Sequence, residues 1–236
     1  MARTKLFRRR GYHHGNLREA LVAAARRLIA ARGPAGFTLV EAARLAGVSA
    51  AAPYRHFADR DALLAEVAER GFAEFAARLQ AAWRHVGRDP GAAFRRMGEA
   101  YLAFAREEPG FYGAMFSSGV PAVRARRAPG RRAGKRPSGR TASFAALETA
   151  VAQMTAVAGM TADPLLLACE VWALSHGIAT LAAAGQLPAG DARLQPRALL
   201  RSGVAALIAG AGRKPAPRRQ ARRPSVKRGG RGGRTQ

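Results

Sequence analysis

The sequence predicts an all-α chain of about nine helices. Three observations carry this reading. No alternating apolar–polar run that would mark a strand occurs anywhere. Apolar residues recur at helical spacing from Leu17 onward, and helix-start signals stand at the head of nearly every such stripe. The apolar share of 48% also excludes wholesale disorder.

Leu17, Leu21, Leu28 and Ile29 form the first stripe, ended by Gly33-Pro34. Thr38-Leu39-Val40-Glu41 reads as a capping box, in which the Thr hydroxyl and the Glu carboxylate satisfy amides at a helix start. This second helix must end near Gly47, where a tight corner needs left-handed backbone, while Val48 turns toward the core. Ser49 is expected to cap a third short helix through Phe57, and Asp59 a long one to about residue 86 with Leu63, Leu64, Val67, Phe72, Phe75, Leu79 and Trp83 on one side. Asp89-Pro90, Asp163-Pro164 and Gln195-Pro196 each place a cap before proline at the first helical position. Later helices are expected at about 90–106, 109–117, 140–158, 164–185 and 196–210.

The charge is uneven. Of 40 Lys and Arg, 24 fall in three segments without acidic residues: 1–18, 121–140 and 213–236. The remainder carries 16 basic against 15 acidic residues and is nearly neutral. Pro, Gly and Ser concentrate in the second and third segments, so they are expected to be a mobile loop and tail, and the first a mobile arm. The division that follows is an arm at 1–14, a first domain at 15–75, a second domain at 76–211 and a basic tail at 212–236. A single Cys169 excludes an internal disulfide framework and suits a reducing, cytoplasmic setting. No secretion signal stands at the start, and the uncharged run 171–190 holds His176, Gln186 and Pro188, which favours a core helix over a membrane span.

Residues 38–57 are the informative constellation. Two short helices joined by a Gly-containing turn make a helix-turn-helix, whose second helix fits the DNA major groove. Ser49 and the small Ala50, Ala51 and Ala52 let backbone approach base edges and thymine methyls, whereas Tyr54, His56 and Arg60 offer donors at phosphate distance. Pro53 costs a backbone donor in the first turn, where the loss is smallest.

Phe37-Thr38, Ala43, Ala46-Gly47-Val48-Ser49, Tyr54-Arg55-His56-Phe57 and Arg60-Asp61-Ala62-Leu63 resemble the signature of the TetR family of bacterial transcription regulators. Tyr12 to Arg18 and Trp172-x-x-x-His176-Gly177 resemble a branch with a WHG-type carboxyl-terminal domain. The resemblance implies an all-helical homodimer: a three-helix DNA-binding domain, then a helical domain that binds a small-molecule effector and dimerises. It further implies that Thr38, Tyr54, His56 and Arg60 touch the DNA backbone, with Ser49, Ala50, Ala51, Ala52 and Arg55 facing the groove. Each has another reading: Thr38 as helix cap, Arg55 as a solvated or paired cation, His56 as packing beneath the long helix.

In the second half Tyr101, Phe104, Tyr112, Met115 and Phe116, with Trp172 and His176, are candidates to line a cavity for an apolar or aromatic effector. Plain core is the competing reading of the same stripe. Leu174, Ile178, Leu181, Leu199, Val204, Leu207 and Ile208 suit a four-helix dimer interface.

Enzyme readings fail on spacing. Gly130 to Lys135 has too few residues between its glycines for a phosphate loop, and Arg136 follows where Ser or Thr is needed. Cys169 has no evident base, and His13 and His14 make a poor metal cage, so no catalytic residue, metal or cofactor is expected. The combined expectation is a ligand-responsive repressor binding a palindromic operator as a dimer, with no membrane partner. The competing class is a sequence-independent nucleic-acid binder acting through Arg228-Gly-Gly-Arg231-Gly-Gly-Arg234. Arg8 to Arg10 are candidates for the minor groove.

Overall fold

The structure is a computed structural model that describes residues 17–84, 89–117 and 139–211. The expected arm, most of the basic loop and the Arg/Gly tail lie outside the described residues. Eight α-helices follow in order: α1 Leu17–Arg32, α2 Leu39–Leu45, α3 Arg60–Arg84, α4 Pro90–Glu107, α5 Pro109–Met115, α6 Gly139–Val157, α7 Pro164–Ala183 and α8 Pro196–Ala211. Two 3₁₀ turns, Ala52–Arg55 and Ala192–Leu194, complete the fold, and no strand occurs among the described residues.

Local chemistry accounts for most boundaries. The Glu41 amide donates to Thr38 Oγ1 at 3.2 Å and the Thr38 amide to Glu41 Oε2 at 2.9 Å, so the capping box at α2 is closed in both directions. Past α2, Gly47 takes φ +75°, and the Val48 amide reaches back to the Ala43 carbonyl at 3.0 Å, which satisfies carbonyls that the helix end would orphan. Val48 itself is half-buried. Asp59, Asp89 and Asp163 each accept a bond from the first turn of α3, α4 and α7, from Ala62, Ala92 and Leu165 at 2.7, 3.0 and 2.9 Å.

One expected element is different. The helix from Ser49 to Phe57 is a 3₁₀ turn, Ala52–Arg55, preceded by Ala51 without a side-chain cap. Were Ser49 the cap of an α-helix, its carbonyl would accept from residue 53. Pro53 has no N–H, and its ring crowds that carbonyl, so the Ala52 amide donates to Ser49 O instead, at 3.1 Å. The proline therefore tightens the segment from α to 3₁₀.

Packing divides into two clusters. Leu21, Ala25 and Ile29 of α1, Phe37, Leu39 and Ala42 around α2, Phe57, and Leu63, Leu64 and Val67 of α3 form one. Phe72, Phe75 and Leu79 of α3 join Phe94, Met97, Tyr101 and Phe104 of α4, Leu147 and Val151 of α6, Leu167 and Val171 of α7 and Leu200 of α8 in the other. Each fully buried large apolar side chain contributes roughly 1.5–3 kcal/mol relative to exposure. Helix α3 runs unbroken through both clusters, and so does α5, which gives Ala114 to the first and Tyr112 and Met115 to the second.

Candidate nucleic-acid interface and effector cavity

The recognition turn is held from below and open above. Pro53 and Phe57 are buried, which fixes the 3₁₀ turn against the first cluster. Ser49, Ala50, Ala51, Arg55 and His56 are exposed, Ala52 is half-buried, and Tyr54 projects with 58% of its surface in solvent. The packing reading of His56 is thus not the one the fold adopts. Six of the residues expected to meet DNA are consequently accessible to solvent.

Thr38 and Arg60 stand differently. The Thr38 hydroxyl is engaged in the capping box, and the Arg32 guanidinium, 2.8 Å from Glu41, joins it in holding the Glu41 carboxyl below the usual carboxylate range. Arg60 stacks over the Phe37 ring at 5.0 Å and donates from Nε to the Phe37 carbonyl at 3.1 Å and from Nη2 to the Pro34 carbonyl, with Asp61 2.6 Å from Nη1. Its guanidinium ties the loop before α2 to the start of α3. A phosphate contact from Arg60 would have to be shared with these partners.

The domain is braced by charge. Arg18 reaches Glu66 at 2.6 Å, and Arg70 spans Glu66 at 2.9 Å and Glu19 at 2.7 Å, tying α1 to α3. Burial opposes ionisation of Glu66, but hydrogen bonds from Arg18 and Arg70 outweigh it and hold its carboxyl below the ordinary range.

The second cluster lines a cavity of about 1190 Å³ that opens to solvent, above the roughly 300–1,000 Å³ of ordinary small-molecule sites. Of the predicted residues, Tyr101, Met115, Phe116 and Trp172 line it. Phe104 does not: it is fully buried and tilts against Phe75 with ring centroids 5.0 Å apart. Tyr112 and His176 are also absent from the lining. The Tyr112 hydroxyl lies 2.8 Å and the Tyr101 hydroxyl 3.4 Å from His176 Nδ1, so these three form a polar cluster joining α4, α5 and α7, of which Tyr101 reaches the cavity. Burial lowers the His176 imidazole below its ordinary value and raises both phenols. Sequence reasoning missed Phe94, Met97, Leu102 and Leu200 on the wall, though the first three lie at helical spacing on α4.

The family patterns now bear on this geometry. "Bacterial regulatory proteins, tetR family" matches residues 21–67, and "Tetracyclin repressor-like, C-terminal domain" matches 94–207. Together they take in about two thirds of the chain. The chain belongs to the TetR family. It is a DNA-binding transcriptional regulator with an amino-terminal helix-turn-helix domain and a helical carboxyl-terminal domain. Among solved TetR-like structures, a protein of unknown function from Rhodococcus sp. RHA1 is 29% identical, with 87% of this chain and 100% of that one covered and a TM-score of 0.67. A TetR-family regulator from Pectobacterium atrosepticum is 27% identical over 87% of this chain and 100% of that chain, with a TM-score of 0.55. The fatty acid degradation regulator FadR from Bacillus halodurans shares the fold at 10% identity, with 84% and 97% covered and a TM-score of 0.60. No curated protein is similar enough to count as a relative. TetR-family proteins bind DNA and commonly act as dimers with small-molecule effectors, and as a rule they are not enzymes. No cluster of three metal-ligating side chains occurs among the described residues.

One helix has an unspent apolar face. Pro164–Ala183 is long and apolar enough by composition to cross a membrane, yet in this fold it packs against α4, α6 and α8 and supplies Leu167, Val171 and Ile178 to the core. Its other side leaves Leu165, Leu166, Trp172 and Leu181 between 40% and 58% exposed, with Cys169 exposed among them. Of the residues expected at a dimer interface, Ile178 is buried in the core, and Leu174, Leu199, Val204, Leu207 and Ile208 pack against it. These five are half-buried and keep part of their surface in solvent, and Leu181 is exposed.

Proposed function

We propose that this TetR-family protein is a ligand-responsive repressor of the cytoplasm. A homodimer grips a palindromic operator, and an apolar or aromatic small molecule entering the cavity releases it. The observation that carries this reading is the position of α5. Met115 and the neighbouring Phe116 line the cavity, while Gly110, at the other end of the helix, lies so close to α1 that an added Cβ would stand 2.2 Å from the Arg26 carbonyl oxygen. Arg26 also stacks on Phe111 at 4.9 Å and donates to Glu108 at 3.2 Å. An effector that displaces the α5 wall would therefore act directly on the DNA-binding cluster, because packed helices shift as units.

The exposed α7 face supports the dimer, since apolar side chains clustered on one open helix side are a common mark of a protein–protein contact. Two copies joined there would carry two recognition turns, which must sit about 34 Å apart to enter successive major grooves. Ser49 to Ala52 and Arg55 would face base edges, with Thr38, Tyr54, His56 and Arg60 along the phosphates.

The test is selection of bound duplexes from random DNA by the full chain, followed by anisotropy titration on the selected and a shuffled sequence. A palindromic consensus bound roughly a thousandfold more tightly than the shuffled copy is the expected result. Equal affinity for both, falling steeply with salt, would overturn it in favour of sequence-independent binding through the Arg228–Arg234 tail.

A further inference from the structure

The cavity's charges are segregated in a way that selects among ligands, given the reading that it is the effector site. Its buried wall is apolar: Phe72, Phe75, Phe94, Met97, Leu147 and Val171 are all within the core. The buried hydroxyls of Ser143 and Ser175 are already bonded to their own helices, to the Arg140 and Val171 carbonyls at 2.9 and 2.7 Å. Every ionisable carboxylate or guanidinium on the lining is exposed or half-buried, and there arginine outnumbers glutamate: Arg95, Arg140, Arg197 and Arg201 against Glu99 and Glu148. Arg197 and Arg201 lie one turn apart on α8 and make no ion pair among the described residues.

We propose that the effector is an anionic amphiphile, with an apolar body in the cavity and one negatively charged head met by the exposed and half-buried arginines of its lining. A buried charge without a partner is costly, and no carboxylate lies inside to receive a cationic ligand. Aromatic faces are the other means of holding a cation. Arg140 already covers the Phe72 ring, with its guanidinium 4.7 Å from the centroid, and would repel a second positive charge there. The anionic head, by contrast, meets donors with the forked geometry that suits carboxylate, sulfate or phosphate.

The test uses the full chain and calorimetric titration with four probes of one tail length, below micelle-forming concentrations: undecanoate, decyl sulfate, decyltrimethylammonium and decanol. Both anions are expected to bind about tenfold or more tightly than the cation, and the margin to shrink with added salt. In a variant combining Arg140→Gln, Arg197→Gln and Arg201→Gln the margin should fall below about threefold while decanol binding is retained. A cation bound as tightly as the anions in the wild type, no binding of either anion, or a margin untouched by both salt and the triple substitution would overturn the proposal. Carboxylate and sulfate arms separate a head recognised by shape from one recognised by charge alone. Anion binding with the expected margin that leaves operator DNA in place would refute release as the mechanism while supporting the ligand class.

Discussion

The two hydrophobic clusters of this chain are built to opposite specifications. Around α1, α2 and the start of α3 the core is made largely of aliphatic and small side chains, is closed by Phe37 and Phe57, and is clamped on its surface by the Arg18–Glu66–Arg70–Glu19 network. The core of the second half is richer in aromatic rings and methionines and surrounds a cavity of about 1190 Å³. A surface that must present a fixed ridge to DNA is served by dense packing and local caps. A site proposed to admit a ligand is served by rings and flexible side chains that tolerate space. Helices α3 and α5 belong to both, which is how one state can be communicated to the other.

The sharpest way to break this contrast is to remove equivalent bulk from each side. Leu63→Ala empties a position with no solvent exposure in the close-packed cluster and should cost about 3–5 kcal/mol. Met97→Ala enlarges a cavity that already exists and should cost about 2 kcal/mol, at the low end of such changes. Denaturant unfolding measures both. Equal losses would mean that the second core is as tightly packed as the first.

Gly110→Ala attacks the joint between them. Its methyl would meet the Arg26 carbonyl at 2.2 Å and the Arg26 side chain at 2.8 Å, so α5 must move away from α1 at a cost of about 1–3 kcal/mol. Operator affinity should fall while binding of an apolar probe to the cavity persists. Unchanged DNA binding would show that the helix-turn-helix does not depend on this seat.

Tyr54→Ala sharpens the comparison from the surface. The side chain is exposed and makes no hydrogen bond among the described residues, so stability should change by less than about 0.5 kcal/mol. Operator binding should weaken by about 1–3 kcal/mol, measured by anisotropy. A loss of stability instead of affinity would return Tyr54 to a structural role.

The same contrast explains what could be read from sequence. In the first half the signals are local: Thr38 and Glu41 close a capping box three residues apart, and Gly47 marks the corner by its backbone alone. The 3₁₀ turn is hidden in the sequence because the effect of Pro53 falls less on its own missing donor than on the Ser49 carbonyl, which it leaves without an α-helical partner. In the second half the decisive relations are distant. Leu200 meets Gly98 across about a hundred residues, and Tyr112 turns to His176 over a separation of 64 instead of into the cavity. Periodicity placed these residues on helices, but crossing geometry decides which of them face a void. The same limit holds at the expected dimer face, where helical spacing does not tell that Ile178 of α7 is buried in its own core while Leu174 stays half-buried.

The smallest expected effect follows from His176 and separates the halves by pH. Burial holds its folded-state value below the ordinary 6.5, so between the two values the unfolded chain binds more protons than the folded one. The stability this group contributes is complete above 6.5 and is lost as pH falls through the folded value. Glu19, Glu41 and Glu66, the lowered carboxylates of the first half, lose their contributions only below 4.5, each as pH falls through its own depressed value. Mild acidification, from about pH 7.5 to about pH 5.5, therefore loads the second half alone. Wild-type Tm should decline across this interval. His176→Gln, which cannot charge but keeps a hydrogen-bonding group opposite the Tyr112 hydroxyl, should flatten that decline and leave the acid loss below pH 4.5 unchanged. A variant that declines as the wild type does would place the titration elsewhere and remove the α4–α5–α7 polar cluster from the account of how the second half is held.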